Sequence, residues 1–131
     1  MSRHDARIAA MRTLYSRQFE GAEAAVPSYS YLNVNRDDKL LTQTIVEGVA
    51  LNIDDINRDI EEHLKKWRKE RLPKVDVAIL QMAVYEIKYQ KENPPGAIIN
   101  EAVELAKEFS LSDSGSYINA ILASVLKAVK E

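Results

Sequence analysis

Apolar residues recur every three or four positions along most of this chain, and in one stretch they crowd together. Ile8, Met11, Tyr15 and Phe19 mark one face of a first helix over residues 3–19. Leu41, Ile45 and Val49 do the same for residues 37–50. Gly48 interrupts that helix at a cost of about 1 kcal/mol relative to Ala, which points to close packing against a neighbour. Asn52 reads as an N-cap. Ile53, Ile56, Ile60, Leu64 and Trp67 then face one way on a third helix, whose basic end, Lys65-Lys66-Trp67-Arg68-Lys69, suits a helix C-terminus.

Residues 72–89 behave differently. Val75, Val77, Ala78, Ile79, Leu80, Met82, Ala83, Val84, Tyr85 and Ile87 fall on almost every side of a helical wheel. Such a helix is normally buried among others. Alternation fails at Val77-Ala78-Ile79-Leu80, so a half-exposed strand does not fit. Pro73 suits the first turn, where its missing N–H is no loss, and Asp76 sits where the helix dipole favours a carboxylate. Asp76, Gln81 and Glu86 interrupt the run, leaving it too short and too polar to cross a membrane. A breaker follows at Lys91-Glu92-Asn93-Pro94-Pro95-Gly96. The next helix has Ile98 or Ile99, Ala102, Leu105 or Ala106, and Phe109 as inward positions. Residues 110–114 close it, with Ser112 or Asp113 as N-cap of a last helix faced by Ile118, Ile121, Leu122, Val125 and Val129. Residues 21–35 resist a regular assignment and read as a loop, with room for one helical turn at 22–26. Its Tyr29 and Tyr31 are better explained by packing on the bundle than by stacking on bases. The pattern predicts an all-α bundle with residues 72–89 as its central helix.

Composition narrows the function. At 131 residues the chain suits one domain or two closely packed halves. The absence of cysteine excludes disulfides, thiol catalysis and zinc–thiolate sites and fits a reducing cytoplasm. Residues 1–20 hold no unbroken apolar run, so no signal peptide is expected. A net charge of -2 gives no global attraction to nucleic acid, and an anionic partner must be held by a local patch.

Candidate chemistry is sparse. There is no Gly-rich phosphate loop, nucleophile elbow or zinc motif. Glu101 and Glu104 hint at a carboxylate-bridged metal site. That chemistry calls for Glu-x-x-His pairs on facing helices, and neither His4 nor His63 lies in one, so a solvated acidic stripe is the expectation. Neither catalysis nor a cofactor or metal is expected. On the first helix Arg3, Arg7 and Arg17 fall within an arc of roughly 80°, with Arg12 elsewhere. The pattern alone favours a solvated rim. The alternative is an anion-binding edge, since arginine grips phosphate with two planar contacts.

Three stretches together resemble the NusB family of transcription antitermination factors. The first is Ala6-Arg7 followed by Leu14-Tyr15. The second is Trp67-Arg68, Arg71-Leu72 and Val75-Asp76, then Ala78-Ile79-Leu80, Ala83 and Tyr85-Glu86. The third is Ile99-Asn100-Glu101-Ala102-Val103-Glu104-Leu105-Ala106-Lys107, then Asp113-Ser114, Tyr117-Ile118-Asn119 and Ile121-Leu122. The resemblance covers nearly the whole chain and is poorest at residues 20–35. It implies one all-helical domain of two perpendicular three-helix halves, about 1–70 and 71–131. It also implies a cytoplasmic, non-catalytic protein that binds boxA RNA of ribosomal RNA leader transcripts. The implied partners are NusE, a small-subunit ribosomal protein, and the RNA polymerase antitermination complex with its other Nus factors.

Carried onto this chain, the family's arginine-rich start matches Arg3 and Arg7, and Tyr15 matches a position near the RNA surface. The RNA-facing segment before the last helix matches Asp113, Ser116 and Tyr117. Asp76 matches an acidic position facing NusE, with Glu70 beside it. Each has a structural explanation as well: a cap for Asp113, core packing for Tyr117 and, preferred, for Tyr15, and a dipole partner for Asp76. The chain departs from the family at Arg3-His4-Asp5, where two basic positions are missing, at Asn119-Ala120, where Asn-Gly is frequent, and at Gly115. Two other functions compete: an RNA-binding accessory domain like that preceding ribosomal RNA cytosine methyltransferases, and a protein-only scaffold. No cofactor-binding module or cysteine nucleophile supports the first, whereas the thinned arginine cluster favours the second. Monomer and dimer are not distinguished by the sequence.

Overall fold

The computed structural model describes residues 2–64 and 71–130. Among these, six helices and no strand form: α1 Ser2–Ser16, α2 Arg36–Leu51, α3 Ile53–Glu62, α4 Lys74–Tyr89, α5 Pro95–Phe109 and α6 Ser114–Lys130. The fold is all-α, and α4 packs against all five other helices. Every residue from Asp76 to Ile87 is buried, as expected of a helix apolar all round. No helix among the described residues is long and apolar enough to cross a membrane.

The first helix is more enclosed than its spacing implies. Ala6, Ile8, Ala9, Ala10, Met11, Thr13 and Leu14 are all buried, and at 100° per residue they point in every direction. The alanines make this possible, because their small side chains let α2 and α4 approach on opposite sides. Leu14, not Tyr15, is the inward residue of the last turn. The helix ends at Ser16, and Tyr15 and Phe19 stay about two-fifths exposed, packed edge to face with ring centroids 5.2 Å apart. The expected inward placement of Tyr15 and Phe19 is corrected on this point. Phe109, also expected inward, is 38% exposed at the end of α5.

The caps of α2 and α3 are set by two asparagines. Helix α2 starts at a reciprocal capping box: Asn35 Oδ1 accepts from the Asp38 N–H at 2.9 Å and Asp38 Oδ2 accepts from the Asn35 N–H at 3.0 Å. Asn52 does precede α3, but its side chain turns back and donates to the Gly48 carbonyl at 2.8 Å. It therefore sits at the N-cap position of α3, where its carbonyl accepts from the Ile56 N–H at 2.9 Å, but its side chain serves α2. Helix α3 stops at Glu62, where the His63 N–H bonds to the Ile60 carbonyl in a tighter turn. Trp67 lies outside the described residues.

Residues 17–35 form an irregular segment with turns, held both by α1 and by its own first residue. Arg12 Nη1 donates to the Ser30 carbonyl and Arg17 Nε to the Ala25 carbonyl, both at 2.9 Å. Asp5 accepts from the Asn33 N–H, also at 2.9 Å. Tyr31 sits at φ 63°, the left-handed region that aromatic residues rarely adopt, and its side chain is fully exposed.

Gly48 marks the closest helix–helix approach. A Cβ there would lie 2.1–2.5 Å from the Tyr85 ring atoms and hydroxyl of α4. The Tyr85 hydroxyl also accepts from Gln90 Nε2 at 2.8 Å, so the ring has little freedom to retreat. Gly48→Ala is expected to destabilise the fold by about 1–3 kcal/mol through overpacking, despite its better helix propensity. Urea unfolding checks this, with a smaller loss expected in a Tyr85→Leu background; a Gly48→Ala protein as stable as the parent would refute the close approach.

Candidate nucleic-acid interface

The arginines of α1 meet different fates. Arg3 is exposed and makes no ion pair or side-chain hydrogen bond with described residues. Arg7 points inward to α4, donating from Nε to Glu86 Oε2 at 3.0 Å and from Nη2 to Glu86 Oε1 at 2.7 Å. The Glu86 side chain is 2% exposed. It is buried as a charge only because the fork of Arg7, with Asn93 Nδ2 at 3.3 Å, satisfies its oxygens. Arg17 lies beyond the end of α1, its Nε held by the Ala25 carbonyl. The arc that places Arg3, Arg7 and Arg17 together is thus divided: one arginine faces water, one pairs with a buried carboxylate and one holds a loop.

His4 occupies the rim beside Arg3 and spans to α5. Its Nδ1 meets Glu101 and its Nε2 meets Glu108 at 2.9 Å. Partial burial works against the charged ring, but the two carboxylates outweigh it and hold the His4 pKa above its ordinary value. The solvated acidic stripe expected of Glu101 and Glu104 is divided, because Glu101 joins this clamp. Glu104 instead lies 3.6 Å from Lys107. Among the described residues no cluster of histidines and carboxylates has the arrangement to hold a metal ion. Glu101 and Glu108, seven apart on one face of α5, are the signal for the clamp, but the sequence does not reveal that His4 arrives between them.

At the start of α6 the candidates separate into outer and inner sets. Asp113 immediately precedes the helix and is exposed, as is Ser116. Tyr117 and Ser114 are buried. Both turn toward Asp76 of α4: Ser114 Oγ donates to Asp76 Oδ2 at 2.7 Å, and the Tyr117 hydroxyl donates to the same oxygen. Asp76 has no exposed surface. The resemblance implies a partner-facing position for it; in the fold its carboxylate is enclosed among α4 and α6 side chains. Burial also pushes its pKa up, with Asp113 adding to the effect and the serine hydroxyls opposing it. Glu70, expected beside it, lies outside the described residues.

The far end of α1 contributes features that sequence reading missed. Gln18 Nε2 donates to the Lys74 carbonyl at 2.7 Å, fastening α1 to the first turn of α4. The Lys74 ammonium lies 5.3 Å from the centroid of the Phe19 ring. Exposed Tyr15 and Phe19 with Lys74 therefore offer stacking surface and positive charge together. Beside them, a cleft of about 680 Å³ has Leu14, Val49, Leu72 and Val77 in its walls and Arg17 and Glu23 among its polar lining.

These features define a small all-helical domain threaded on a buried central helix. Its exposed candidate chemistry sits at both ends of α1 and at the α5–α6 corner. The sequence profile of the NusB family matches residues 4–127, and the chain belongs to the NusB family. It is 42% identical over 130 residues to the transcription antitermination protein NusB of Finegoldia magna, covering 97% of this chain and 95% of that protein. Among solved structures, T. maritima NusB superposes with a TM-score of 0.82 at 29% identity, covering 95% of this chain and 90% of that one. A structure of antitermination factors NusB and NusE in complex with dsRNA matches with a TM-score of 0.82 at 24% identity, over 97% of both chains, and shares the fold.

Two outcomes follow from the ion pairs. Arg7→Ala should cost about 3 kcal/mol, because it leaves Glu86 buried without its partner; chemical denaturation measures this, and a loss typical of an exposed arginine would contradict the pairing. His4 has a raised pKa when folded, so its contribution is full below its ordinary value of 6.5 and is lost as pH rises through the raised value. Melting temperature should therefore fall more steeply for the parent than for His4→Gln as pH is raised above 6.5. Parallel curves would show that the clamp contributes nothing.

Proposed function

We propose that this protein is an RNA-binding transcription antitermination factor that acts with NusE on boxA RNA in the cytoplasm and has no catalytic activity of its own. Membership of the NusB family over residues 4–127 carries the reading. It is supported by the identity to a protein named for antitermination and by a fold shared with a NusB that is seen together with NusE and double-stranded RNA. The RNA surface we assign runs from Arg3 to the α5–α6 corner at Asp113 and Ser116, with Tyr15 as an aromatic contact. Arg7, Arg17 and Tyr117 support that surface from beneath, since their polar groups are engaged within the protein. The division of the chain into halves of about 1–70 and 71–131 and a NusE contact near Glu70 belong to the same proposal.

A protein-only scaffold is the second reading. The observation in its favour is that two of the three candidate arginines already have partners inside the fold. Titration with boxA RNA and a scrambled RNA, each with and without NusE, separates the two. Preferential binding of boxA, tightened by NusE, is expected; binding of NusE with no RNA binding in any combination would favour the scaffold. Arg3→Glu should weaken RNA binding and flatten its salt dependence, because a phosphate contact releases counterions when it forms. Asp113→Asn should change RNA affinity more than melting temperature, because Asn and Asp cap helices about equally well. If neither substitution alters affinity in a folded protein that binds boxA, the surface has been placed on the wrong face.

A further inference from the structure

Asp76 is a buried acid without an ionic partner among the described residues. Its side chain lies wholly inside the protein, unlike that of Glu86, which has Arg7. Both donors it receives converge on Oδ2: Ser114 Oγ from the first turn of α6, and the Tyr117 hydroxyl one turn on. The Ser114 and Tyr117 oxygens are themselves 3.2 Å apart. Ser110, which caps the end of α5, sits 3.0 Å from Ser114 through their hydroxyls. One carboxyl oxygen of α4 thus gathers the end of α5 and the start of α6. Oδ1 is buried with no hydrogen-bond partner.

This arrangement is a poor choice for stability alone, because an unpaired buried oxygen is penalised, and a cluster made apolar on both sides would avoid that penalty. What the carboxyl does is fix a corner. Ser114 follows Ser110 by four positions, and the exposed Asp113 lies between them, while exposed Ser116 lies between Ser114 and Tyr117. The two outward residues can hold one orientation only if their inward neighbours are held.

We propose that Asp76 is a positioning residue for RNA binding, fixing the α5–α6 corner through Ser114 and Tyr117 so that Asp113 and Ser116 face the RNA. It touches neither RNA nor a protein partner. The inference rests on the RNA-binding role proposed above and deepens it. Its chemistry calls for an acceptor oxygen at this position, not for a negative charge. Asparagine supplies the same oxygen to both hydroxyls, and its amide takes the place of the unpartnered Oδ1. Alanine supplies nothing and leaves two buried hydroxyls without their acceptor.

The test compares Asp76→Ala and Asp76→Asn in the full chain. Affinity for a single-stranded boxA RNA is measured without NusE, and amide hydrogen exchange is followed over residues 110–117 without RNA. Asp76→Ala is expected to bind RNA about tenfold more weakly and to exchange faster at the corner. Asp76→Asn should restore both toward the parent. The loss in Asp76→Ala should also be smaller when Asp113→Ala is already present, since the two then act through one contact. Equal loss in the Asn and Ala variants would mean that the charge itself is recognised, which overturns the proposal. So would unchanged affinity in a folded Asp76→Ala protein, or exchange unaltered at the corner. Should Asp76→Ala fail to fold, Tyr117→Phe with Ser114→Ala removes the same donors from the other side and is held to the same expectations. If the parent binds no RNA, the functional reading fails and the positioning role with it, while hydrogen exchange still reports separately whether Asp76 holds the corner.

Discussion

A helix buried on every side has to place its polar residues where other helices can answer them. Helix α4 carries three in its interior stretch, Asp76, Gln81 and Glu86, each five residues from the next. Five residues turn an α-helix by about 140° beyond a full revolution, so the three point roughly to the three thirds of its circumference. Each is met by a different helix. Asp76 receives Ser114 and Tyr117 of α6, Gln81 donates to Asn57 of α3 at 3.0 Å, and Glu86 takes the fork of Arg7 from α1. Apolar packing supplies the driving force for the bundle, but it is non-directional. These three contacts select which helix lies on which side and in what register, because any other arrangement would strand a buried polar group. Close packing of Gly48 on Tyr85 adds a fourth constraint, from α2.

Ionic contacts at the ends of α4 reinforce the same order. Lys88 reaches α3 with its ammonium 2.9 Å from Asp55 and 2.6 Å from Asp59, and the Tyr89 hydroxyl donates to Asp55. The hydrogen bond from Tyr89 and the nearby Lys88 hold the Asp55 pKa below its ordinary value. At the opposite end, Gln18 ties α1 to Lys74. With Arg7 beside Glu86 and Gln18 beside Lys74, α1 and α4 run antiparallel. The two ends of α1 are therefore set apart along α4, with Arg3 and His4 near its C-terminal end and Tyr15 and Phe19 near its N-terminal end.

The proposed function draws on what this packing leaves outside. Arginine serves three purposes on one segment: Arg3 faces water, Arg7 neutralises a buried carboxylate, and Arg12 and Arg17 hold the 17–35 segment by its carbonyls. A basic cluster counted from sequence would overstate the positive charge available to a phosphate backbone. His4 sits between two carboxylates, so its charge is also offset locally. On the proposed reading, recognition would depend less on charge density than on the fixed placement of a few exposed side chains, which makes a rigid α5–α6 corner more consequential.

By itself the sequence determined the all-α class, the six-helix order and the central position of residues 72–89, because these depend on local periodicity and on breakers such as Pro94-Pro95-Gly96. It also carried the family resemblance, since that rests on residues and their spacing. It signalled the close approach at Gly48, where a poor helix former stands inside a helix. What it left open were the orientations of single side chains. Tyr15 and Leu14 both fit an apolar face, and only the neighbours of α1 decide that Leu14 turns inward. Asp76, Asp113 and Glu86 are all acidic residues in helical contexts, yet one is a buried acceptor, one is exposed and one is half of an internal ion pair. Those differences come from residues tens of positions away, Tyr117 for Asp76 and Arg7 for Glu86, and long-range pairing of this kind has no local periodicity to betray it.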